Sequence, residues 1–129
     1  MAQAQKLRIK TSGIDHVVLW VSDLERSKRF YMDLLGMTVA HGNDWQAFLW
    51  CGENQVALFD AKRRGSTVTS GTELNHMALR MEPAGYEETK ARLEMEGITV
   101  TGRTGDPHCI YFDDPDGHRL QLLYKGHDD

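Results

Sequence analysis

The chain has no apolar run near the roughly 20 residues a membrane helix needs, and only two cysteines in 129 residues. Cys51 and Cys109 lie far apart without CxxC spacing, which excludes a zinc knuckle, a redox dithiol and a disulfide framework; both are expected as half-buried strand thiols. Basic charge is also lacking. Fifteen Lys and Arg against 19 Asp and Glu give a net charge of −4 and leave no electrostatic footprint for nucleic acid. The opening MAQAQKLRIKTSG lacks the apolar core of a secretory signal, so a cytoplasmic protein without membrane partners is expected. The length suits one compact core and is too short for two conventional domains.

What is present is a repetition. IDHVVLWVSDLERSKRFYMDLLGMTVA from Ile14 is echoed by LNHMALRMEPAGYEETKARLEMEGITVTG from Leu74. His16 and His76 lie 60 residues apart, Gly36 and Gly97 61, so the copies differ by one inserted residue. The reading is a lead-in over 1–12, a single domain over 13–126 built from modules 13–60 and 74–125 with a connector 61–73, and a tail 127–129.

In the first copy Asp15 to Val21 alternates, with His16, Val18 and Trp20 on one face and Val17, Leu19 and Val21 on the other. Ser22 to Glu25 reads as a capping box that starts a helix, and Gly36 ends it. Ser27, Phe30, Tyr31, Leu34 and Leu35 form the stripe expected to cover Val17 and Leu19. Strands are predicted at Thr38 to His41, Trp45 to Cys51 and Gln55 to Asp60. The second copy predicts a strand at Asn75 to Met81, a helix at Pro83 to Glu96, and strands at Ile98 to Thr101, His108 to Phe112 and Arg119 to Tyr124. A DDPDG hairpin joins the last two. The fold class is thus α+β: two tandem βαβββ modules forming a curved mixed sheet around a cleft, with helices outside. Period two then sets His16, Val18 and Trp20 on one cleft wall and His76, Ala78 and Arg80 on the other.

Through DHVVLWVSDLERSKRFYMDLLGM, NHMAL and IYFDDPDGHRLQLL, the chain resembles the vicinal oxygen chelate superfamily of glyoxalases, bleomycin-resistance proteins, fosfomycin-resistance transferases and extradiol dioxygenases. The resemblance implies metal ligands at His16, His76 and Gln121. Glutamate is usual at the last position, and the fourth glyoxalase position falls at Ala57, which offers no ligand. Two histidines and one oxygen donor suit a divalent ion, with Fe²⁺ or Mn²⁺ favoured and Zn²⁺ or Ni²⁺ compatible. Gln121 removes one negative charge from such a site and should weaken it.

Around that centre, His108 and Tyr111 are candidate catalytic groups, and Trp20, Arg80 and Trp50 candidate pocket residues. Of Trp20, Trp45, Phe48 and Trp50, half are expected to face the helices. Asp60 reads as a turn cap or a cleft acid, and Lys62 to Arg64 as a solvated loop, while His41 and His118 have no positional support.

The expected function is that of a metal-dependent small-molecule enzyme, a dioxygenase or a lyase/transferase, with extradiol-type dioxygenase favoured because Ala57 removes the glyoxalase base. Gln121 counts equally against a dioxygenase and a fosfomycin-type thiol transferase. The alternative is metal-independent sequestration of a small molecule, which would leave the two histidines unexplained. The family implies a homodimer; whether His16 and His76 meet within one chain or across two stays open.

Overall fold

The computed structural model describes residues 8–68, 74–81, 85–103 and 106–124, without the side chains of residues 103, 106–108 and 124. The expected helix start at Pro83, part of the lead-in and connector, and the tail lie outside the described residues.

Strand β1 (His16–Val21) is followed by helix α1 (Leu24–Arg29), which runs into a π-helical turn (Phe30–Leu34), and then by β2 (Thr38–Gly42), β3 (Gln46–Cys51) and β4 (Asn54–Asp60). The second module repeats the order with β5 (Met77–Met81), α2 (Tyr86–Met95), β6 (Thr101–Arg103), β7 (Asp106–Asp113) and β8 (Arg119–Tyr124). Each module makes its own four-stranded mixed sheet, ordered β1-β4-β3-β2 and β5-β8-β7-β6. In both, the first strand pairs parallel with the last and the remaining pairs are antiparallel. The two-module α+β fold expected from the repetition is therefore present, with the same strand order in each half.

The alternation in β1 holds. Leu19 and Val21 are buried while His16, Val18 and Trp20 are exposed. Buried side chains from both modules, including Leu19, Leu49, Leu58, Leu93, Ile110 and Leu120, belong to one core cluster. Each large side chain fully removed from water contributes about 1.5–3 kcal/mol. Both helices end at a glycine with the same left-handed φ of 79°, Gly36 and Gly97, so the repetition extends to the caps.

Local differences from the sequence reading have identifiable causes. Ser22 is not the helix cap; Asp23 accepts from the Arg26 N–H at 3.1 Å instead, because Ser22 is engaged by Asp116 from the other module. The helical stripe contains a π turn, closed by Leu35 N–H to Phe30 O at 3.1 Å, which no propensity signals. Strand β5 begins at Met77, opposite Leu120, so His76 sits just ahead of the ladder rather than in it. Similarly, β6 starts at Thr101 rather than Ile98.

Ser27 lies in α1 fully buried, and its hydroxyl has no hydrogen-bond partner among the described residues. Such an orphan carries a desolvation penalty that an apolar replacement avoids. Ser27→Ala is expected to stabilise the protein by about 1 kcal/mol. A lower melting temperature for the variant would refute that account.

Candidate functional site

Register decides which side chains share a face. Across the first sheet, His16 pairs with Gln55 and Gln55 with Trp50, while Val18, Ala57, Phe48 and His41 form the next row and Trp20, Phe59 and Gln46 the third. One face thus carries an aromatic wall. Phe48 has His16 edge-on at 5.3 Å and His41 stacked at 4.4 Å. Phe59 meets Phe48 at 5.9 Å, Trp20 at 6.0 Å and Trp45 at 5.2 Å, all edge-to-face. The expectation that half of these aromatics face the helices is corrected: Trp20, Phe48 and Trp50 fall in register on the face of His16, and Trp45 joins them through Phe59. Val18, Trp20 and Trp50 are 41%, 38% and 43% exposed, so this face lies uncovered in the single chain.

The second sheet builds the matching face more sparsely. Ala78 pairs with Gln121, Gln121 with Tyr111 and Tyr111 with Thr101; Arg80 is exposed on the same face of β5. Tyr111 lies edge-on to His76 at 5.6 Å and carries the Arg119 guanidinium over its ring at 5.0 Å. The backbone of His108 belongs to β7, but its side chain is outside the described residues.

The two histidines are held alike. His16 Nδ1 lies 2.7 Å from Asp15 Oδ2, and His76 Nδ1 lies 2.7 Å from Asn75 Oδ1. Both partner oxygens are acceptors, so each Nδ1 is placed to donate, and in the neutral ring that leaves the lone pair on Nε2. An outer side chain that fixes the tautomer and leaves the other nitrogen to bind is the usual arrangement around metal-ligating histidine. Neither partner was singled out from sequence, although the dipeptides Asp15-His16 and Asn75-His76 stand at matching places in the repeat.

Gln121 is buried, and its side-chain amide packs against Sγ of the fully buried Cys109. The expectation of a half-buried strand thiol holds for Cys51, which is partly exposed, and is corrected for Cys109, which is not exposed at all. Ala57 sits fully buried beneath the aromatic face between Val18 and Phe48 and contributes no donor there. Two imidazole nitrogens and an amide oxygen form a neutral donor set that fits a divalent ion. Among the described residues of one chain, however, no three His, Cys, Asp or Glu side chains cluster closely enough to hold one. His16 and His76 belong to different modules, each contacting an aromatic of its own.

Grooves open on two sides of the described residues. One, of about 690 Å³, runs between the modules past Ile14, Val17, Gln55, Met77, Ala78 and Arg80, bordering both histidines in sequence but lined by neither. The other, of about 550 Å³, lies between the π turn and α2 and is lined by Arg29, Asp33, Arg92 and Glu96 but by none of the proposed ligands. Asp60 caps a turn, accepting from the N–H groups of Lys62 and Arg63 at 3.0 and 3.3 Å. Arg64 stacks over Trp45 at 4.8 Å.

His118 turns out to be structural. Its Nδ1 lies 2.8 Å from Asp114 Oδ2, the same oxygen that accepts from the Tyr31 hydroxyl at 2.7 Å, and Asp114 Oδ1 accepts from the backbone N–H groups of Asp116 and His118. Burial alone would raise the Asp114 pKa, but hydrogen bonds from His118 and Tyr31 and the imidazolium charge together hold it below the ordinary carboxylate value. The hydrogen bond to Asp114 raises His118 despite burial. Burial, then the Asp114 charge, raises Tyr31 far above the usual phenol value.

The family model for the Glyoxalase/Bleomycin resistance protein/Dioxygenase superfamily matches residues 13–122. A glutathione transferase, FosA, of Serratia marcescens is 33% identical over 111 residues, covering 85% of this chain and 79% of the relative. The metallothiol transferase FosB of Staphylococcus saprophyticus is 35% identical over 116 residues, covering 85% and 75%. The fosfomycin resistance protein FosX of Listeria monocytogenes, in a complex with Mn(II) and sulfate, superimposes with a TM-score of 0.73 at 20% identity, covering 89% of this chain and 91% of that one. That last likeness concerns the fold.

Proposed function

The chain belongs to the Glyoxalase/Bleomycin resistance protein/Dioxygenase superfamily, and from that premise we propose that it is a divalent-metal-dependent enzyme that transfers a thiol to a small electrophile. The observation that carries the metal reading is the paired presentation of His16 and His76, each with Nδ1 bonded to the preceding side chain and Nε2 left to ligate. The choice of thiol transfer over dioxygenation rests on the curated relatives at 33% and 35% identity, named glutathione and metallothiol transferases. This replaces extradiol chemistry as the favoured reaction.

In this reading His16, His76 and Gln121 hold the ion, with Mn²⁺ favoured by the manganese-bound structural neighbour. The bound ion supplies Lewis-acid polarisation of a substrate oxygen. Tyr111, beside His76 and opposite Gln121, offers a phenol to the same substrate, and Arg80 a cation for an anionic substituent. Trp20 and Trp50 wall the pocket on the His16 side. Because the first-module face is exposed and the two histidines belong to different modules, the reading has a homodimer assemble the site, pairing the first-module face of one copy with the second-module face of the other.

The test loads purified protein with Mn²⁺ and follows loss of free thiol with glutathione or cysteine and fosfomycin, alongside oxygen uptake on a catechol panel. Metal-dependent thiol consumption without oxygen uptake is expected. Oxygen uptake with a catechol would overturn the proposal in favour of dioxygenation. A second reading, metal-independent sequestration, draws on the aromatic wall; tight binding of an aromatic ligand to metal-free protein, with no turnover, would favour it.

A further inference from the structure

We propose that His41 is the base that takes the proton from the thiol: it stands on the open face of the first sheet, across the phenyl of Phe48 from His16. The assignment deepens the thiol-transfer reading above and rests on it.

Plain alternation along β2 would not place His41 there. Thr38 pairs with Trp50 and Val39 with Leu49, so the next residue, Ala40, would come opposite Phe48 and His41 would fall on the buried face of Ala47 and Leu49. The register shifts instead between Val39 and His41, and His41 becomes the partner of Phe48. A bulge of this kind disrupts the ladder and re-aims a side chain, which is why bulges recur beside active sites. Gly42 supports the same shift. A Cβ built there would come 2.6 Å from the Gln46 carbonyl oxygen and 3.2 Å from the Ala47 Cα, both backbone atoms, so the two strands approach more closely than a side chain at this position allows.

The shift delivers an imidazole stacked on Phe48, with 4.4 Å between centroids and 21° between planes, while His16 meets the same phenyl edge-on at 5.3 Å. Stacking covers one face of the His41 ring and leaves its edge, where both nitrogens lie. The residue is exposed, and among the described residues neither nitrogen has a hydrogen-bond partner. The rest of that face in register, from Val18, Trp20 and Ala57 to Phe48, Trp50 and Phe59, carries no side chain that takes a proton near neutrality. His16 itself is committed to the ion.

A thiol is a weak nucleophile until it is ionised. In the step, the S–H proton passes to the unprotonated imidazole of His41. The thiolate sulfur then forms a C–S bond with the electrophile as the C–O bond breaks, and the departing oxygen takes up a proton. No oxidant or reductant enters, and the proton count is unchanged. With Phe48 between the two imidazoles, nucleophile and electrophile have separate places on one wall.

The experiment follows thiol consumption by the full chain loaded with Mn²⁺, native and His41→Gln, using fosfomycin and thiols of rising acidity: mercaptoethanol, glutathione and trifluoroethanethiol. Loss of a general base should lower kcat/KM about 100-fold with the least acidic thiol, mostly through kcat. The deficit should shrink as acidity rises, because a thiol already ionised needs no base. The same deficit with every thiol would mark a structural role and overturn the assignment. Mn²⁺ affinity by titration, and the melting temperature, should match the native chain, since His41 is exposed and outside the core cluster. Weakened Mn²⁺ binding would make His41 a ligand rather than a base and would also overturn it. Native turnover that His41→Gln retains in full overturns this assignment alone, whereas a native chain that consumes no thiol overturns the thiol-transfer reading itself.

Discussion

Protein purified without a chelating tag should carry stoichiometric divalent metal, and His16→Ala or His76→Ala should each remove it. Only three donors are proposed and all are neutral, so the site has no carboxylate to retain the ion once an imidazole is lost. Both rings stand at the surface end of a strand outside the core cluster, so neither substitution should unfold the protein. Elemental analysis beside thermal melting separates the outcomes: unchanged metal content in either variant excludes that histidine as a ligand.

Mixing the two variants tests the dimer. If His16 of one copy meets His76 of the other, a heterodimer of His16→Ala and His76→Ala chains regains one intact site of two. If the histidines meet within a chain, the mixture regains none. Metal recovered on mixing therefore decides between the arrangements.

The largest expected effect on stability comes from Asp114→Ala. Asp114 accepts from the Tyr31 hydroxyl, the His118 ring and two backbone N–H groups, and its side chain is fully buried. Removing it leaves a buried imidazole and phenol without their partner, a loss of about 3–5 kcal/mol. For a chain of this size that lowers the melting temperature by roughly 10 °C or more. Tyr31→Phe removes a single donor and should cost about 1–2 kcal/mol.

The same cluster sets a pH window. Asp114 is depressed in the folded state, so its contribution is present above the unfolded value near 3.8 and is lost as pH falls through the lower folded value. His118 is raised, so its contribution is complete below 6.5 and is lost as pH rises through the higher folded value. Stability from this pair should be full between about pH 4 and 6.5 and decline on either side. In Asp114→Ala both flanks should flatten; a native chain whose stability keeps rising from pH 6.5 to 9 would contradict this account.

The cluster also shows where sequence reasoning ends. DPDG was readable as a hairpin, and Gly117 does take a positive φ of 87°. That its Asp114 would clasp Tyr31, and its Asp116 Ser22, was not readable, because those partners lie 83 and 94 residues away. The capping reading failed for the same reason: a local hydroxyl-to-backbone bond lost to a carboxylate delivered by tertiary packing. His41 was missed because the register shifts between Val39 and His41, so counting by twos along β2 gives the wrong face.

By itself the sequence determined the two-module fold, the glycine-ended helices, the inward and outward faces of the first strands, and the matching histidines, since all follow from short-range periodicity and from repetition. Tertiary structure alone decided which nitrogen each histidine presents, that Gln121 is buried beside Cys109, that the aromatics gather on one wall, and that His118 is structural. Those outcomes depend on which strands lie side by side and what surrounds each polar atom once water is excluded, and neither is encoded within any local stretch of the chain.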